Sequence, residues 1–178
     1  MSIPIYVIGS SNTDMVVKVD KLPLPGETVM GGTFFMNPGG KGANQAVAAA
    51  RTGGQVFFIV NMGNDLFGQQ TMDNLSSKEN INTTLASVDT EHPSGVALIV
   101  VDATGENTIS VAPGSNGFLS KKKVELAMKS VMPPALVLLQ MEIPHDTIEA
   151  AIATSFAKGL KVILNPAPAH TIHPSLLK

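Results

Sequence analysis

Apolar residues along the chain fall into short runs set apart by glycine, proline and polar clusters, and each run predicts an element. Ile3 to Gly9 is apolar almost throughout and ends in Gly9-Ser10-Ser11-Asn12, which predicts a buried strand running into a loop. Asp14 to Asp20 and Thr28 to Met36 read as two more extended pieces, with the turn signal Leu22-Pro23-Leu24-Pro25-Gly26 between them. After Pro38-Gly39-Gly40, the alanine-rich stretch Lys41 to Thr52 predicts a helix with a glycine-rich start and a Gly53-Gly54 exit. Gln55 to Val60 predicts a strand and Phe67 to Lys78 a helix. Gly95 to Val101 and Asn107 to Ala112 flank Asp102-Ala103-Thr104-Gly105-Glu106 and predict a hairpin. Ser120 to Val131 predicts a helix capped by Ser120 and stopped by Pro133-Pro134. Ala135 to Gln140 predicts a strand, Pro144 to Lys158 a helix with proline at its start, and Leu160 to Leu164 a strand.

In the second half, strand and helix alternate and the strands are continuously apolar. That pattern predicts an α/β fold: a mostly parallel sheet covered on both faces by helices. The extended pieces near 14–36 and the hairpin near 95–112 stand outside the alternation and predict a small second sheet. No internal repeat, low-complexity tract or charge block interrupts the chain, and Lys121-Lys122-Lys123 reads as a solvated helix start.

Composition narrows the classes. The chain has 178 residues, 44% apolar and 15% charged, with 12 Lys plus Arg against 14 Asp plus Glu and a net charge of −2. A domain of about this size buries roughly 70% of its unfolded surface, so one well-packed domain over 1–178 is expected. High apolar content and low net charge disfavour a disordered chain. Without a basic block there is no electrostatic ground for nucleic-acid binding. Cysteine is absent, which removes disulfides and thiolate metal sites and fits a reducing compartment. No signal-type stretch opens the chain, and no apolar run reaches the ~20 residues of a membrane helix. A cytoplasmic protein with no membrane partner is expected.

Chemistry concentrates at Gly39-Gly40-Lys41-Gly42-Ala43-Asn44. Glycines allow close backbone approach, and a helix start offers free N–H groups that favour anions or oxygen-rich ligands. The stretch is neither a Walker A loop, since Gly42 follows Lys41, nor a dinucleotide fingerprint, since Gln45 takes the last glycine position. A tight turn into a helix of small residues explains it equally well on physical grounds. Lys41 and Asn44, three residues apart on the first helical turn, tip the reading toward ligand hydroxyls.

Asn12 and Asp14 follow the first strand and, two residues apart in extended backbone, point the same way. An amide beside a carboxylate matches a vicinal diol; capping of a turn by either residue is the plainer alternative. Glu142, in Leu138-Leu139-Gln140-Met141-Glu142, sits past another buried strand end. Polar groups at two strand exits, together with the glycine-rich helix start, form one constellation.

These residues make the chain resemble the ribokinase-like (PfkB) carbohydrate kinases. The resemblance rests on Gly9-Ser10-Ser11-Asn12-Thr13-Asp14, Pro25-Gly26-Glu27-Thr28, Gly39 to Ala46, and Gly63-Asn64-Asp65-Leu66-Phe67-Gly68. It continues through Gly105-Glu106-Asn107, Gln140-Met141-Glu142 and Asn165-Pro166-Ala167-Pro168-Ala169, in order along the whole chain. It implies a ribokinase-like α/β domain with a small β-sheet lid built from segments about 14–38 and 95–112. The implied reaction is ATP-dependent phosphorylation of a sugar, D-ribose at O5, with ATP, Mg2+ and K+ as cofactors. Asn12, Asp14, Gly40, Lys41, Asn44 and Glu142 match the family's sugar-binding positions, and Ile109 or Val111 of the lid would cover the sugar. Family members of this kind often pair as homodimers through their lid sheets.

The resemblance is to the N-terminal portion of the family. No stretch matches its Asp-Thr-x-Gly-Ala-Gly-Asp motif, which supplies the catalytic base and anion hole, nor its Asn-x-x-Glu motif linked to magnesium, nor its monovalent-cation loop. These are expected beyond Lys178, so no catalytic residue is assigned and the 178 residues alone are expected to be weak catalysts or none. Two alternatives stand: an inactive sugar-binding fragment or regulatory module, and a related kinase acting on deoxyribose, fructose or a nucleoside. A sheet ending near Leu164 would leave strand edge and apolar surface bare, so poor solubility is expected.

Other features read as structural. His170 and His173 lie among prolines and suit a surface loop better than a metal site, and His92 and His145 stand alone. Asn74-Leu75-Ser76 and Asn82-Thr83-Thr84 match the glycosylation pattern, which is inert without secretion. Asp65 is expected to shape its loop, and the nine methionines to fill core.

Overall fold

The computed structural model describes residues 3–171 and Pro174. In chain order its elements are β1 (Ile5–Ile8), β2 (Asn12–Lys18), β3 (Thr33–Gly39), α1 (Lys41–Arg51), β4 (Val56–Ile59), β5 (Asn61–Gly63) and α2 (Leu66–Asp73). There follow β6 (Ser87–Asp89), β7 (Gly95–Val101), β8 (Asn107–Ala112), α3 (Lys121–Met128), β9 (Leu136–Leu139), α4 (His145–Ala157) and β10 (Lys161–Leu164). A π-type turn at Asn74–Lys78 continues α2, and a 3-10 turn at Gly114–Phe118 follows β8.

The main sheet has the order β10-β9-β1-β4, all parallel, with Ile8 of β1 opposite Leu139 of β9. Alternate side chains divide its core in two. Tyr6, Ile8, Val137 and Leu139 pack against Val124 and Met128 of α3 and Ile148 and Ala151 of α4. Val7, Val56 and Phe58 pack on the other face against Ala43 and Ala46 of α1. Alanines at those positions let α1 approach the sheet closely, as its sequence implies. Coverage is uneven, however: Val162 and Leu164 of β10 join the α3–α4 side, while Ile163 on the α1 side is 51% exposed. Helices thus flank the sheet, with apolar surface left bare at Ile163 of β10.

A second, mixed sheet has the order β3-β2-β7-β8. Its two antiparallel pairs join through a parallel β2–β7 ladder, Asp14 lying opposite Asn37 on one side and Ala97 on the other. The extended pieces shift: β2 begins at Asn12, and β3 runs Thr33–Gly39, so residues 28–32 fall outside it. The two short strands β5 and β6 pair in parallel and were not legible in the sequence.

Three further expectations need correcting. The helix expected over 67–78 ends at Asp73 and gives way to the π-type turn. Lys123 is not simply solvated; its Nζ donates to Asn61 Oδ1 at 2.7 Å. His145 is not alone, because its ring meets His170 edge-on, and His92 stacks on Phe118 with its Nδ1 3.1 Å from Asp89. His173 lies outside the described residues. Methionines divide: Met62, Met128 and Met141 are core, whereas Met30, Met36 and Met132 are exposed. Among the described residues no helix is long and apolar enough to cross a membrane.

Candidate functional site

β1 connects through α1 to β4 on one side of it, and β9 connects through α4 to β10 on the other. The direction of winding reverses between β1 and β9, and at such a reversal the carboxyl ends of two neighbouring strands open a crevice. The segments leaving those two ends carry the candidate residues: Ser10 to Asp14 after β1, and Gln140 to Glu142 after β9. The start of α1 lies against them, since Ala43 N–H donates to Ser10 C=O at 2.9 Å.

α1 has no side-chain cap of its own, because Gly40 precedes it. Gly40 is at φ +89, and a Cβ there would lie 2.7 Å from Ser11 Cα, so both backbone conformation and packing exclude a side chain. Glu142 caps the helix instead, from 101 residues away: it accepts from the Lys41 backbone N–H at 2.9 Å and pairs with the Lys41 ammonium. Ser10 Oγ donates to the same carboxylate at 2.6 Å. Burial disfavours the Glu142 charge, but the bonds from Lys41 and Ser10 outweigh it and hold the carboxyl below its usual value. The positive helix start and the lysine are thus already neutralised.

Asp14 is different. It is half-buried against the Gly39 backbone, and its carboxylate accepts no hydrogen bond among the described residues. Burial and then the Glu142 charge raise its pKa above the ordinary 3.8, with Lys41 pulling the other way. Asn12, 6% exposed, turns its Oδ1 to Asn116 at 2.8 Å. Asn44 is exposed on α1, and its side chain bonds none of the others. So the structure brings Lys41 and Glu142 into contact, sets Asp14 in the electrostatic field of both, and leaves Asn12 and Asn44 as separate flanking amides.

Two residues that sequence reasoning had not singled out as site residues belong here. Ser10 lay inside a quoted motif, but nothing in its spacing marked it as a partner of Glu142. Asn116 binds Ser11 and Asn12 across more than 100 positions, a pairing with no local signal. Asp65 shapes its loop as expected: it caps α2 at Gly68 N–H (2.9 Å) and accepts from Ser94 N–H (2.7 Å), pinning the start of β7.

The family model described as pfkB family carbohydrate kinase matches residues 3–178. Ribokinase from Bacillus subtilis is 41% identical over 168 residues, covering 94% of this chain and 57% of that protein. Deoxyribokinase from Salmonella typhi is 39% identical over 165 residues, covering 93% and 54%. Among solved structures, Arabidopsis thaliana ribokinase complexed with ribose and ATP aligns with a TM-score of 0.77 at 29% identity, covering 92% of this chain and 53% of that one. The chain thus spans a little over half the length of the relatives it matches. A parallel sheet with an inserted second sheet, polar groups gathered at its switch point, and a family match over nearly every residue lead to one conclusion: the chain belongs to the pfkB family of carbohydrate kinases.

Proposed function

We propose that the chain forms the sugar-binding half of an ATP-dependent kinase that phosphorylates D-ribose at O5. The observation that carries this reading is Asp14, a half-buried carboxylate without a hydrogen-bond donor, beside a Lys41–Glu142 pair that is already satisfied. A sugar hydroxyl supplies the missing donor, and the bond it makes to a carboxylate is charge-assisted. Asn12 and Asn44 add amides, and Gly40 lets the start of α1 sit against the Ser10 to Asn12 backbone that carries the site. Ile109 and Val111 lie on the Asp14 face of the lid, more than half exposed, where they cover a bound ring. Closure of the lid sheet over the sugar then excludes water.

ATP, Mg2+ and K+ belong to the reading as the kinase's cofactors, and no described residue is assigned to hold them. The start of α1, the natural phosphate cradle, is filled by the Glu142 carboxylate. Among the described residues no three His, Asp or Glu side chains are placed to hold a metal. These residues bind and orient the sugar, and other parts of a family kinase handle the nucleotide. We assign the protein to the cytoplasm, and its dimer to the lid face opposite Asp14, where Phe34, Met36 and Leu98 are each at least half exposed.

Calorimetric titration with D-ribose, deoxyribose, fructose and a nucleoside tests the substrate, and an ATP-consumption assay on a chain extended through the family's C-terminal motif tests turnover. Ribose is expected to bind best. Ribose binding no better than unrelated sugars would overturn the reading. The deoxyribokinase relative makes deoxyribose the main rival. A second reading, favoured by the neutralised helix start, keeps the sugar site without turnover; phosphorylation by the 178 residues themselves would sink it.

A further inference from the structure

Asn116 lies in the 3-10 turn after β8 and is 2% exposed. Its carboxamide makes three bonds, two to Ser11 between β1 and β2 and one to Asn12 at the start of β2. Oδ1 accepts from the Ser11 N–H at 2.9 Å, and Nδ2 donates to the Ser11 carbonyl at 2.9 Å and to Asn12 Oδ1 at 2.8 Å. Its backbone partners fix its direction, because an N–H only donates and a carbonyl only accepts. The usual ambiguity of an amide is therefore removed at Asn116, and through it at Asn12.

Asn12 must give its oxygen to Asn116, so its Nδ2 is the atom left to face outward. That Nδ2 has no partner among the described residues and is not sealed from solvent, since the one fully enclosed, unpartnered side-chain atom among them is Gln140 Oε1. Asn12 and Asp14 share a face of β2 by strand alternation. Gly95 opposite Asn12 leaves room for the pair, for a Cβ there would overlap both Asn12 Oδ1 and Asn116 Nδ2.

We infer that Asn116 is a positioning residue that locks Asn12, so that the site presents a hydrogen-bond donor at Asn12 beside an acceptor at Asp14. The inference rests on the sugar reading only for the identity of the ligand. With a diol, one hydroxyl oxygen accepts from Asn12 while the neighbouring hydroxyl donates to Asp14. The amide lock thereby orders which hydroxyl donates and which accepts.

The test reads the lock without ligand. NMR relaxation of asparagine side-chain amides in the 15N-labelled chain is expected to find the Asn12 amide rigid on the ps–ns timescale. In Asn116→Asp, which keeps the acceptor for Ser11 and removes both donors, the Asn12 amide becomes mobile. Equal mobility of Asn12 in the two proteins overturns the inference. Should that variant fail to fold, Asn12→Asp carries the test: aspartate still accepts from Asn116, so the Asn116 amide stays rigid, and a mobile Asn116 amide overturns the inference. In the same variant the donor toward ligand is gone, and ribose affinity falls about tenfold or more in a chain that still unfolds cooperatively. Retained ribose affinity also overturns the assignment of Nδ2 as the ligand-facing atom. A locked Asn12 in a chain that takes up no ribose would sink the sugar reading and leave the positioning intact.

Discussion

Asp14 sets its binding role against folding stability. Its folded-state pKa is raised above 3.8, so the native state holds the proton more tightly than the unfolded chain does. Stability therefore falls as pH rises from about 3.8 through the raised value and stays lower above it. Asp14→Asn removes that dependence: the variant is expected to be more stable than the parent at pH 7 by thermal melting. The same change weakens ribose binding by about 2 kcal/mol, since hydroxyls lose a charge-assisted partner. Unchanged ribose affinity in the folded variant would remove Asp14 from the site. Glu142 has the opposite sign: its lowered pKa gives stability that is full above 4.5 and is lost as pH falls through the folded value. Glu142→Gln removes the charge opposite the Lys41 ammonium and leaves α1 only a neutral acceptor as its cap; a loss of about 1–3 kcal/mol in urea unfolding is expected. At this scale, Asn12, Asp14, Lys41 and Glu142 were legible as residue types at strand exits and a helix start. Who bonds whom was not, because Glu142 meets Lys41 across 101 positions and Asn116 meets Asn12 across 104.

Between elements, a polar knot ties β5, β6, α3 and the 3-10 turn. Asn61 donates to Asp89 and to the Ser115 carbonyl, and accepts from Ser87 and Lys123. Asp89 also accepts from the Glu91 and His92 backbone. Burial opposes its charge, but these bonds prevail and hold its pKa far below 3.8, so its stabilising contribution is present above 3.8 and lost on stronger acidification. Asp89→Asn is expected to cost about 2 kcal/mol or more in urea unfolding and to reduce the protein's sensitivity to acid. A loss under about 0.5 kcal/mol would mean the knot is dispensable. None of it could be read from the chain, since three-residue strands such as Asn61–Gly63 and Ser87–Asp89 are too short to show a period. The helix expected over 67–78 was legible as a helix, but not its change to a π-type turn.

At the scale of the whole molecule, two bare apolar surfaces among the described residues bear on association. One is the outer lid face with Phe34, Met36 and Leu98. The other is the β9–β10 part of the main sheet on the α1 side, where Ile163 is exposed beside a groove of about 580 Å³ lined by Ile3, Ile5 and Leu136. β10 is also an unpaired edge of its sheet among the described residues. Such surfaces drive association. In sedimentation velocity, Leu98→Asp is expected to abolish the proposed lid-face dimer, and Ile163→Lys to suppress larger aggregates without touching it. A dimer that survives Leu98→Asp would place the interface elsewhere.

Sequence alone determined the alternation of strands and helices, the inserted second sheet, and the residue types that crowd the ends of β1 and β9. These follow from local periodicity and from glycine and proline chemistry, which act over a few positions. Tertiary structure decided the parallel union of β2 with β7, the capping of α1 by Glu142, and the half-burial of an Asp14 carboxylate that accepts no hydrogen bond among the described residues. Each depends on which distant segments share a crevice, and hydrogen bonding and burial across that distance leave no trace in local pattern.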